Sequence, residues 1–411
     1  MKIALIGNVC NNGYNIGMAL KKYTDIVPHL YIDNHINIHS DPAENDPAAK
    51  DQADWVFHST KWDPTRPFKN LDYSFVRKLR KEKYDAIIVS DVGVWLAPFV
   101  KNSKFLFWTT GADITRMPFP FTFNFFHKGV KAKLKAAYMG FLQRRGVKHI
   151  DYFLTQPFMP FRYALNKLKV PAQKITNFYF PLIIDLNIFK YNENFRKKIS
   201  ENNYLQIEKF KFKIFHPSRL MITRNEALYN AGQWKGNEML LKALRVFIDK
   251  YNRTDICIIL PDRIYSNDQE LFKKEAEKLK LQNNIVWVKG ATTEGFNKEE
   301  MVALYSCSNL VVDEIGVGWF GSVVVEAAAC SKPVMCYLDE EVMKQLYPWH
   351  PIISANTPET IAEEIAKLYF NEAYSKQKSM DGRRWAEEFH SQENAGRAYA
   401  EQIKELLLKN K

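Results

Sequence analysis

One stretch near the C-terminal end of the chain decides the fold. It reads Gly318-Trp319-Phe320-Gly321-Ser322-Val323-Val324-Val325-Glu326-Ala327-Ala328-Ala329-Cys330-Ser331-Lys332-Pro333-Val334. The glycines predict a tight turn, the small residues predict a closely packed helix, and Lys332-Pro333 ends that helix before an apolar strand. Such a turn can offer backbone N–H groups to phosphate oxygens at the helix N-terminus. The same pattern also suits an ordinary α/β crossover, in which Glu326 is a solvated helix residue.

Two series of apolar strands, each alternating with helical stretches, occupy the chain. The first series covers residues 3–6, 29–32, 84–90 and 104–109, and the second covers residues 212–216, 255–260, 285–288, 310–312 and 334–337. Strands that alternate with helices form parallel, doubly wound sheets. The sequence therefore predicts an α/β protein with two Rossmann-like domains.

The predicted domain boundaries follow from this pattern. We expect an N-terminal domain at 1–190 and a C-terminal domain at 191–383, joined within the proline-, asparagine- and charge-rich region 180–201. Residues 384–411 form a further helix candidate.

Composition limits the classes of function. The chain has 411 residues and a formal net charge of +12, which favours an anionic partner such as nucleic acid, a membrane surface or a phosphorylated substrate. The five scattered cysteines indicate reduced thiols in a cytoplasmic protein. The first residues predict a β-strand rather than a signal peptide, and no apolar run is long enough to span a membrane. Any membrane contact is therefore expected to be peripheral.

The opening stretch resembles the nucleotide-sugar signature of retaining GT-B glycosyltransferases. The matching residues are Phe320, Gly321, Glu326, Ala327, Ala329, Lys332 and Pro333. Gly318, Trp319 and Ser331 depart from the pattern, and Gly318 stands where the family has a sugar-binding Glu. The resemblance implies a GT-B fold, with two Rossmann-like domains facing a cleft and a C-terminal helix that crosses back to the first domain.

Two cations follow the first strand of the second series. Arg219 lies in the loop after that strand, and Lys235 precedes the glycine that opens the next helix. Two cations beside a diphosphate would neutralise the charge that builds on a leaving nucleotide. Arg224 is an alternative to Arg219, and both cations also suit an ordinary protein surface.

The resemblance assigns roles to these residues. It implies that Arg219, Lys235 and the N–H groups of Gly321, Ser322 and Val323 hold the diphosphate, and that Glu326 binds the ribose. It also implies retention of anomeric configuration and no bound metal or other cofactor. The donor would be a nucleotide-sugar, UDP- or GDP-linked.

An acid must replace the missing family Glu. Asp313 and Glu314 follow a predicted strand, and a carboxylate at the end of a strand points toward the ligand-binding edge of an open α/β sheet. We predict that one of them, with Glu314 preferred, contacts the donor sugar. The alternative is that they cap the next structural element.

The first domain contributes two candidate positions. Residues 110–113, Thr110-Gly111-Ala112-Asp113, resemble the His-Gly-Ser-Asp loop of the family with Thr110 in place of His. Asp113 is predicted to orient a sugar hydroxyl or to deprotonate an acceptor, with a helix N-cap as the alternative. The GT-B resemblance implies that the loop 7–13 faces the cleft, near phosphate or acceptor, with Gly13 closest to the ligand.

A basic aromatic segment covers residues 116–148 and contains no acid. Its aromatic residues are Phe119, Phe121, Phe123, Phe125, Phe126, Tyr138 and Phe141, and its cations are Arg116, Lys128, Lys131, Lys133, Lys135, Arg144, Arg145 and Lys148. Cations interleaved with aromatic residues suit an anionic membrane surface and also single-stranded nucleic acid. We predict the membrane surface, because no nucleic-acid signature accompanies the segment. The alternative is a solvated basic helix whose aromatic residues enter the core.

Together these features predict a glycosyltransferase of the hexosyltransferase class. The acceptor would be a glycan or a lipid-linked molecule, in cell-surface polysaccharide or glycolipid synthesis, and the protein would be cytoplasmic or peripheral at the inner face of the membrane. The alternatives are a sugar-nucleotide epimerase on the same fold and a non-catalytic GT-B scaffold.

Overall fold

The chain divides into two compact units. The computed structural model describes residues 1–33, 40–45, 49, 54–59, 73–123, 127, 129–176, 181–223, 225–262, 268–290 and 295–409. The first unit comprises Met1–Ile183 together with Gln392–Lys411, and the second comprises Ile184–Ser391. The unit boundaries thus fall after residues 183 and 391, where sequence analysis expected 190 and 383.

The first unit is built on a six-stranded parallel sheet. Its strands are β1 (Lys2–Ile6), β2 (Val27–Asp33), β3 (Val56–Ser59), β4 (Ala86–Val89), β5 (Lys104–Trp108) and β6 (Tyr152–Leu154). Their order across the sheet is β3-β2-β1-β4-β5-β6. The flanking helices are α1 (Asn12–Tyr23), α2 (Pro42–Asn45), α3 (Tyr73–Glu82), α4 (Ala112–Thr115), α5 (Val130–Val147) and α6 (Met159–Lys167).

The second unit repeats this architecture. Its strands are β7 (Phe212–Phe215), β8 (Ile256–Pro261), β9 (Ile285–Val288), β10 (Leu310–Val312), β11 (Val334–Cys336) and β12 (Ile353–Ser354), in the order β12-β11-β10-β7-β8-β9. Its helices are α7 (Glu201–Ile207), α8 (Glu226–Asn230), α9 (Asn237–Tyr251), α10 (Gln269–Lys278), α11 (Lys298–Cys307), α12 (Ser322–Ala329), α13 (Glu340–Leu346), α14 (Pro358–Phe370) and α15 (Glu372–His390). The predicted α/β class with two wound parallel sheets is confirmed.

Each sheet has one place where the direction of winding reverses. In the first unit the chain runs outward from β1 through β2 to β3 and then returns to β4 beside β1. In the second unit the corresponding neighbours are β7 and β10. The loops after such neighbouring strands diverge and leave a crevice, where ligands of open α/β sheets bind.

The core of the second unit explains why its first helix forms where the sequence predicts it. Leu240, Leu241, Leu244 and Phe247 of α9 are all fully buried. Their spacing places them on one face of the helix, against apolar residues of the central strands. Burial of each such side chain contributes about 1.5–3 kcal/mol.

The stretch 384–411, predicted as one helix, is instead two helices. α15 ends at His390, Ser391 is extended, and α16 (Gln392–Leu408) follows. The backbone N–H of Ile184 donates to the His390 carbonyl at 3.0 Å, which ties the chain segment entering the second unit to the one leaving it. α16 belongs to the first unit, where it packs on α1.

Close contact between α1 and α16 generates a prediction. A Cβ at Gly396 would lie 2.9 Å from the Ala19 Cβ and 3.1 Å from the Ala19 carbonyl oxygen. We therefore expect Gly396→Ala to lower the free energy of unfolding by about 1–2 kcal/mol, because overpacking outweighs the gain in helix propensity. Urea denaturation measures the change.

Gly382→Ala is the matched control. It lies in α15, and its added Cβ would meet Ala328 at 3.4 Å, an ordinary contact. We expect this variant to be neutral or slightly more stable. Equal stability of the two variants would show that α1 and α16 can separate enough to accommodate a Cβ at position 396.

Candidate functional site

The candidate site of the second unit lies at the carboxyl ends of β7 and β10. β7 ends at Phe215 and leads to Arg219, and β10 ends at Val312 and leads directly to Asp313 and Glu314. These strands are the neighbours at which the winding reverses. The sheet therefore places the predicted cation and the predicted acids at the edge where ligands of this architecture bind.

His216 supports this edge from inside. Its ring is fully buried, with Nδ1 2.7 Å from the Val312 carbonyl and Nε2 2.7 Å from the Asn237 Nδ2. An amide nitrogen can only donate, so Nε2 accepts and Nδ1 carries the proton. His216 is thus a neutral structural residue that ties β7 to β10 and to the start of α9.

Lys235 and Glu314 form the ionic centre of the edge. The Lys235 Nζ pairs with the Glu314 Oε1, and the two side chains are only 13% and 21% exposed. Arg219 is exposed and donates to the Gln233 Oε1 at 2.9 Å. Burial raises the pKa of Glu314, while Lys235 and, more weakly, Arg219 oppose that rise. The alternative cation at position 224 lies outside the described residues.

Asp313 connects this edge to the glycine turn. Its carboxylate is buried and accepts hydrogen bonds from the Ser218 hydroxyl and, at 3.3 Å, from the Gly321 N–H. Burial raises the pKa of Asp313, and the hydrogen bond from Ser218 opposes that rise. The Gly321 N–H, predicted to hold phosphate, is therefore already bonded to Asp313.

The backbone N–H groups of Ser322 and Val323, unlike that of Gly321, are not bonded to Asp313. Gly321 is the N-cap of α12, and Ser322 and Val323 are its first residues, both partly exposed. Within the described parts of the chain, no group accepts a hydrogen bond from the N–H of Ser322 or Val323. The first N–H groups of a helix lack partners within the helix and favour an anion. These two therefore meet the geometric requirement of the predicted phosphate site.

The turn before α12 rests on aromatic packing. Gly318 has φ +84°, and its carbonyl accepts the Asp339 N–H at 2.9 Å. Trp319 stacks on Phe320 with ring centroids 4.8 Å apart, and Phe320 meets Trp385 edge-on at 5.5 Å. Glycine adopts this left-handed backbone conformation without steric cost, whereas a Glu at position 318 would be strained. The backbone conformation of the turn therefore accounts for glycine at the position where the resembling family has Glu.

The side chain of Glu326 in α12 bonds to the neighbouring helix α11. Its Oε2 accepts from the Tyr305 hydroxyl at 2.8 Å, and Tyr305 is fully buried. Burial raises the pKa of Tyr305 well above its ordinary value, with the charge of Glu326 adding to the effect. The hydrogen bond fixes the orientation of Glu326, whose predicted contact with ribose stays a prediction.

In the first unit, hydrogen bonds of asparagine side chains hold the loop after β1 in place. Asn8 Oδ1 accepts the Tyr14 N–H at 2.8 Å, and Asn8 Nδ2 donates to Asn11 Oδ1 at 2.8 Å. A Cβ at Gly13 would lie 2.4 Å from the Gly7 carbonyl oxygen. Glycine at position 13 is therefore required by packing within the loop, and its approach to a ligand stays a prediction.

Asp113 holds the loop after β5. Its buried carboxylate accepts from the N–H groups of Thr110, Gly111 and Asp91, at 2.9–3.2 Å, and from the Thr110 hydroxyl at 3.1 Å. Burial raises the pKa of Asp113, and hydrogen bonds from Thr110 oppose the rise. With these bonds in place the carboxylate organises the loop, and its predicted contact with a sugar or acceptor remains untested.

Asp91 is the acid that sequence analysis missed. It follows β4, beside β1 at the winding reversal, and has a left-handed backbone with φ +50°. Its side chain is only partly buried, and burial together with the nearby Asp113 charge raises the pKa of Asp91 to about 6. Asp91 follows an apolar strand closely, as Asp313 and Glu314 do, and this signal in the sequence could have identified Asp91 as a candidate site residue.

The described residues contain no group of three or more His, Cys, Asp or Glu side chains that could hold a metal ion. No helix among them combines the length and apolar character needed to cross a bilayer. Metal-independent chemistry and cytoplasmic localisation stay predictions.

Comparison with known proteins places this geometry in context. Residues 227–385 match the family model Glycosyl transferases group 1. An uncharacterized glycosyltransferase of Methanocaldococcus jannaschii is 28% identical over 240 residues, which cover 54% of this chain and 66% of that relative. The match therefore spans slightly less than two thirds of the relative's length.

Solved structures resemble the whole chain. HepE of Anabaena in complex with UDP-glucose has a TM-score of 0.63 at 16% identity and covers 98% of this chain and 100% of its own. A glycosyltransferase of Rickettsia africae has a TM-score of 0.63 at 17% identity and covers 99% and 98%. Sucrose-phosphate synthase of Thermosynechococcus elongatus has a TM-score of 0.63 at 13% identity and covers both chains fully.

These likenesses show the fold. The chain has a GT-B-type fold with two α/β domains, and the sequence matches support the group 1 glycosyltransferase family, most directly for residues 227–385.

The raised pKa of Asp91 predicts a pH-dependent effect of Asp91→Asn. The folded-state pKa lies above the unfolded value, so the stability tied to protonation is complete below about pH 4 and lost as pH rises through 6. Asn stays uncharged and tolerates a left-handed backbone. We expect the variant to gain up to about 2 kcal/mol over the wild type above pH 6 and nothing below pH 4.

Thermal unfolding measured from about pH 3.5 to about pH 8 checks the effect, because this range covers the pKa of Asp91 in both the unfolded and the folded state. Glu401→Gln, which removes an exposed carboxylate of α16, is the control and is expected to show no such trend. A constant difference between Asp91→Asn and the wild type at all pH values would contradict the assignment.

Proposed function

We propose that this protein is a retaining, metal-independent glycosyltransferase that uses a nucleotide-sugar donor. One observation carries the proposal. Ser322 and Val323 are partly exposed at the start of α12, and no group among the described residues accepts a hydrogen bond from their N–H groups, while Asp313 ties that turn to the edge bearing Lys235 and Glu314. A helix N-terminus and a cation at the winding reversal together form a site for a diphosphate.

The charges support cleavage of the bond between sugar and diphosphate. Negative charge grows on the leaving diphosphate, and positioned donors and cations stabilise that charge. Lys235 and Arg219 supply the cations, and the α12 N–H groups supply the fixed dipoles. The protein would thus perform the task that a divalent ion performs in other enzymes.

Glu314 is the proposed sugar-binding acid. It lies at the end of β10, stays partly exposed and pairs with Lys235. Asp313 is buried and bonded to Ser218 and Gly321, so its carboxylate is already committed to the turn. This difference favours Glu314 over Asp313 as the replacement for the acid missing at Gly318.

Retention and acceptor class are proposed from the sequence resemblance. The 318–334 motif is similar to that of retaining enzymes. The acceptor is proposed to be a glycan or a lipid-linked molecule, in polysaccharide or glycolipid synthesis. Asp91 and Asp113, at the carboxyl edge of the first sheet, are the ionisable groups proposed to organise the acceptor side.

Nucleoside diphosphate binding is the first test. The HepE structure contains UDP-glucose, so UDP leads a thermal-shift panel with GDP, ADP and their sugar conjugates, because a ligand of the folded state raises the unfolding temperature. We expect one base to stabilise the protein without added metal. Ser322→Pro should weaken that binding by about tenfold or more, because it removes one N–H that donates to a charged oxygen.

Ser322→Ala is the matched control. Proline is well tolerated at the first position of a helix, and alanine keeps the N–H while losing the hydroxyl. If Ser322→Ala weakens binding as much as Ser322→Pro, the hydroxyl rather than the helix N-terminus is responsible. Unchanged binding in both variants would remove α12 from the phosphate site.

The two neighbouring acids should respond differently to removal of their charge. Glu314→Gln should lower the rate of nucleoside diphosphate release from the bound donor by about tenfold or more, because it weakens the proposed contact with the donor sugar. It should also lower stability, since Lys235 loses the charge that neutralises it, so the rate is compared between folded samples. Asp313→Asn should lower the free energy of unfolding by about 1–3 kcal/mol, because it weakens two buried hydrogen bonds.

The same assay separates the rival functions. Transfer of the sugar to an added acceptor supports a glycosyltransferase, whereas an altered nucleotide-sugar without acceptor indicates an epimerase. Binding without any product indicates a non-catalytic scaffold. Normal turnover in Glu314→Gln would exclude that residue as the replacement acid.

A further inference from the structure

Helix α5 packs against the rest of the first unit through the face that carries Gly140, Gln143 and Gly146. A Cβ at Gly146 would lie 2.3 Å from the Val94 carbonyl oxygen, and a Cβ at Gly140 would lie 2.7 Å from Pro120. On the same face Gln143 accepts from the Trp95 indole at 2.7 Å. Close backbone approach and a buried hydrogen bond therefore fix this inner face of the helix.

The outer face of α5 carries large apolar side chains. Val130 is 75% exposed, Leu134 is 66% exposed and Phe141 is 52% exposed. Spacings of four and seven residues place all three on one side of a helix. Phe121, in the turn whose neighbour Pro120 packs against α5, is 77% exposed. Several large, exposed apolar side chains on one face of a helix are typical of an interaction surface.

Cations flank this apolar strip. Lys131, Lys133 and Lys135 are exposed on α5. At about 100° per residue, Lys131 and Lys133 lie on opposite sides of Val130. Arg145 and Lys148 continue the positive charge along the helix, and the sequence from 116 to 148 contains no acid. The surface thus combines an apolar centre with a positive border.

We propose that the outer face of α5, together with Phe121, binds the surface of an anionic lipid bilayer. The apolar side chains would enter the boundary between headgroups and acyl chains, and the lysines would meet lipid phosphates. Phe125, Phe126 and Lys128 of the basic aromatic segment lie outside the described residues and take no part in the argument.

The side chains favour lipid over nucleic acid. Binding of single strands depends on aromatic rings on which bases stack. Two of the four exposed apolar side chains, Val130 and Leu134, are aliphatic; they offer no ring on which a base could stack, and they gain by leaving water for acyl chains. Phe123 is buried and Tyr138 is partly buried, so these rings offer little stacking area.

The surface is linked to the loops of the first sheet edge. Gln143, on the inner face of α5, donates to the Asp113 carbonyl at 2.8 Å and to the Asp91 carbonyl at 3.3 Å. One side chain thus connects the proposed lipid-binding helix with both acids of that edge. The lipid-surface proposal does not depend on glycosyl transfer and can be tested without a donor.

Vesicle flotation with the full chain tests the proposal. We expect the protein to float with vesicles of phosphatidylcholine and phosphatidylglycerol, not with phosphatidylcholine alone, and to be released by salt. Lys131→Gln/Lys133→Gln/Lys135→Gln should weaken binding by about a hundredfold, since each cation contributes about fivefold. Leu134→Gln/Phe141→Gln should also weaken it by at least about tenfold.

Matched controls lie on the second unit. Lys242→Gln/Lys274→Gln/Lys376→Gln removes three exposed positive charges elsewhere, and Leu205→Gln/Leu271→Gln replaces two exposed leucines, each 45% exposed. Both controls should bind vesicles like the wild type. Circular dichroism and thermal unfolding should show that every variant is folded.

Several outcomes would overturn the proposal. They are equal binding to neutral and anionic vesicles, equal loss in the charge control, and unchanged binding in both α5 variants. Binding of a single-stranded oligonucleotide that vesicles do not compete away would assign the surface to nucleic acid. UDP-induced thermal shifts of the α5 variants should equal that of the wild type, so failure of lipid binding is distinguishable from failure of the donor site.

Discussion

The candidate site of the second unit depends on the buried carboxylate of Asp313. A carboxylate is costly to bury, and hydrogen bonds to its charged form help to offset that cost. Asp313 meets this requirement with the Ser218 hydroxyl from the loop after β7 and the Gly321 N–H from the turn before α12. It thereby fixes two loops relative to β10, and the start of α12 cannot move without breaking a buried bond.

The first unit applies the same physical solution at its own sheet edge. Asp113 is buried after β5 and accepts from the N–H groups of Thr110, Gly111 and Asp91. In both units a buried acid binds loop N–H groups, while a neighbouring acid, Asp91 or Glu314, stays partly exposed. The buried acid organises the loops of the edge and the neighbouring acid stays partly exposed, a difference that the residue types alone do not reveal.

The sequence predicts the sheets well, because apolar runs such as those of β4 and β8 are long enough to show strand character. It misses short strands such as β12, which has only 2 residues. It also reads 384–411 as one helix, because the break at Ser391 lies beside a backbone bond between His390 and Ile184, which is far away in the chain. The role of Asp313 was hidden similarly, since Ser218 is 95 residues distant.

The ion pair between Lys235 and Glu314 explains how a cation can be held at this sheet edge in the absence of a bound anion. A cation without a partner would be costly at a position where its side chain is only 13% exposed, and Glu314 neutralises it. A diphosphate bound at α12 would compete for the same Lys235. Burial already raises the pKa of Glu314, and loss of Lys235 as its partner would raise that pKa further. Glu314 would then be stabilised by accepting hydrogen bonds from sugar hydroxyls or by taking up a proton. Binding of the diphosphate part of a donor would therefore favour contact between Glu314 and the sugar of the same donor.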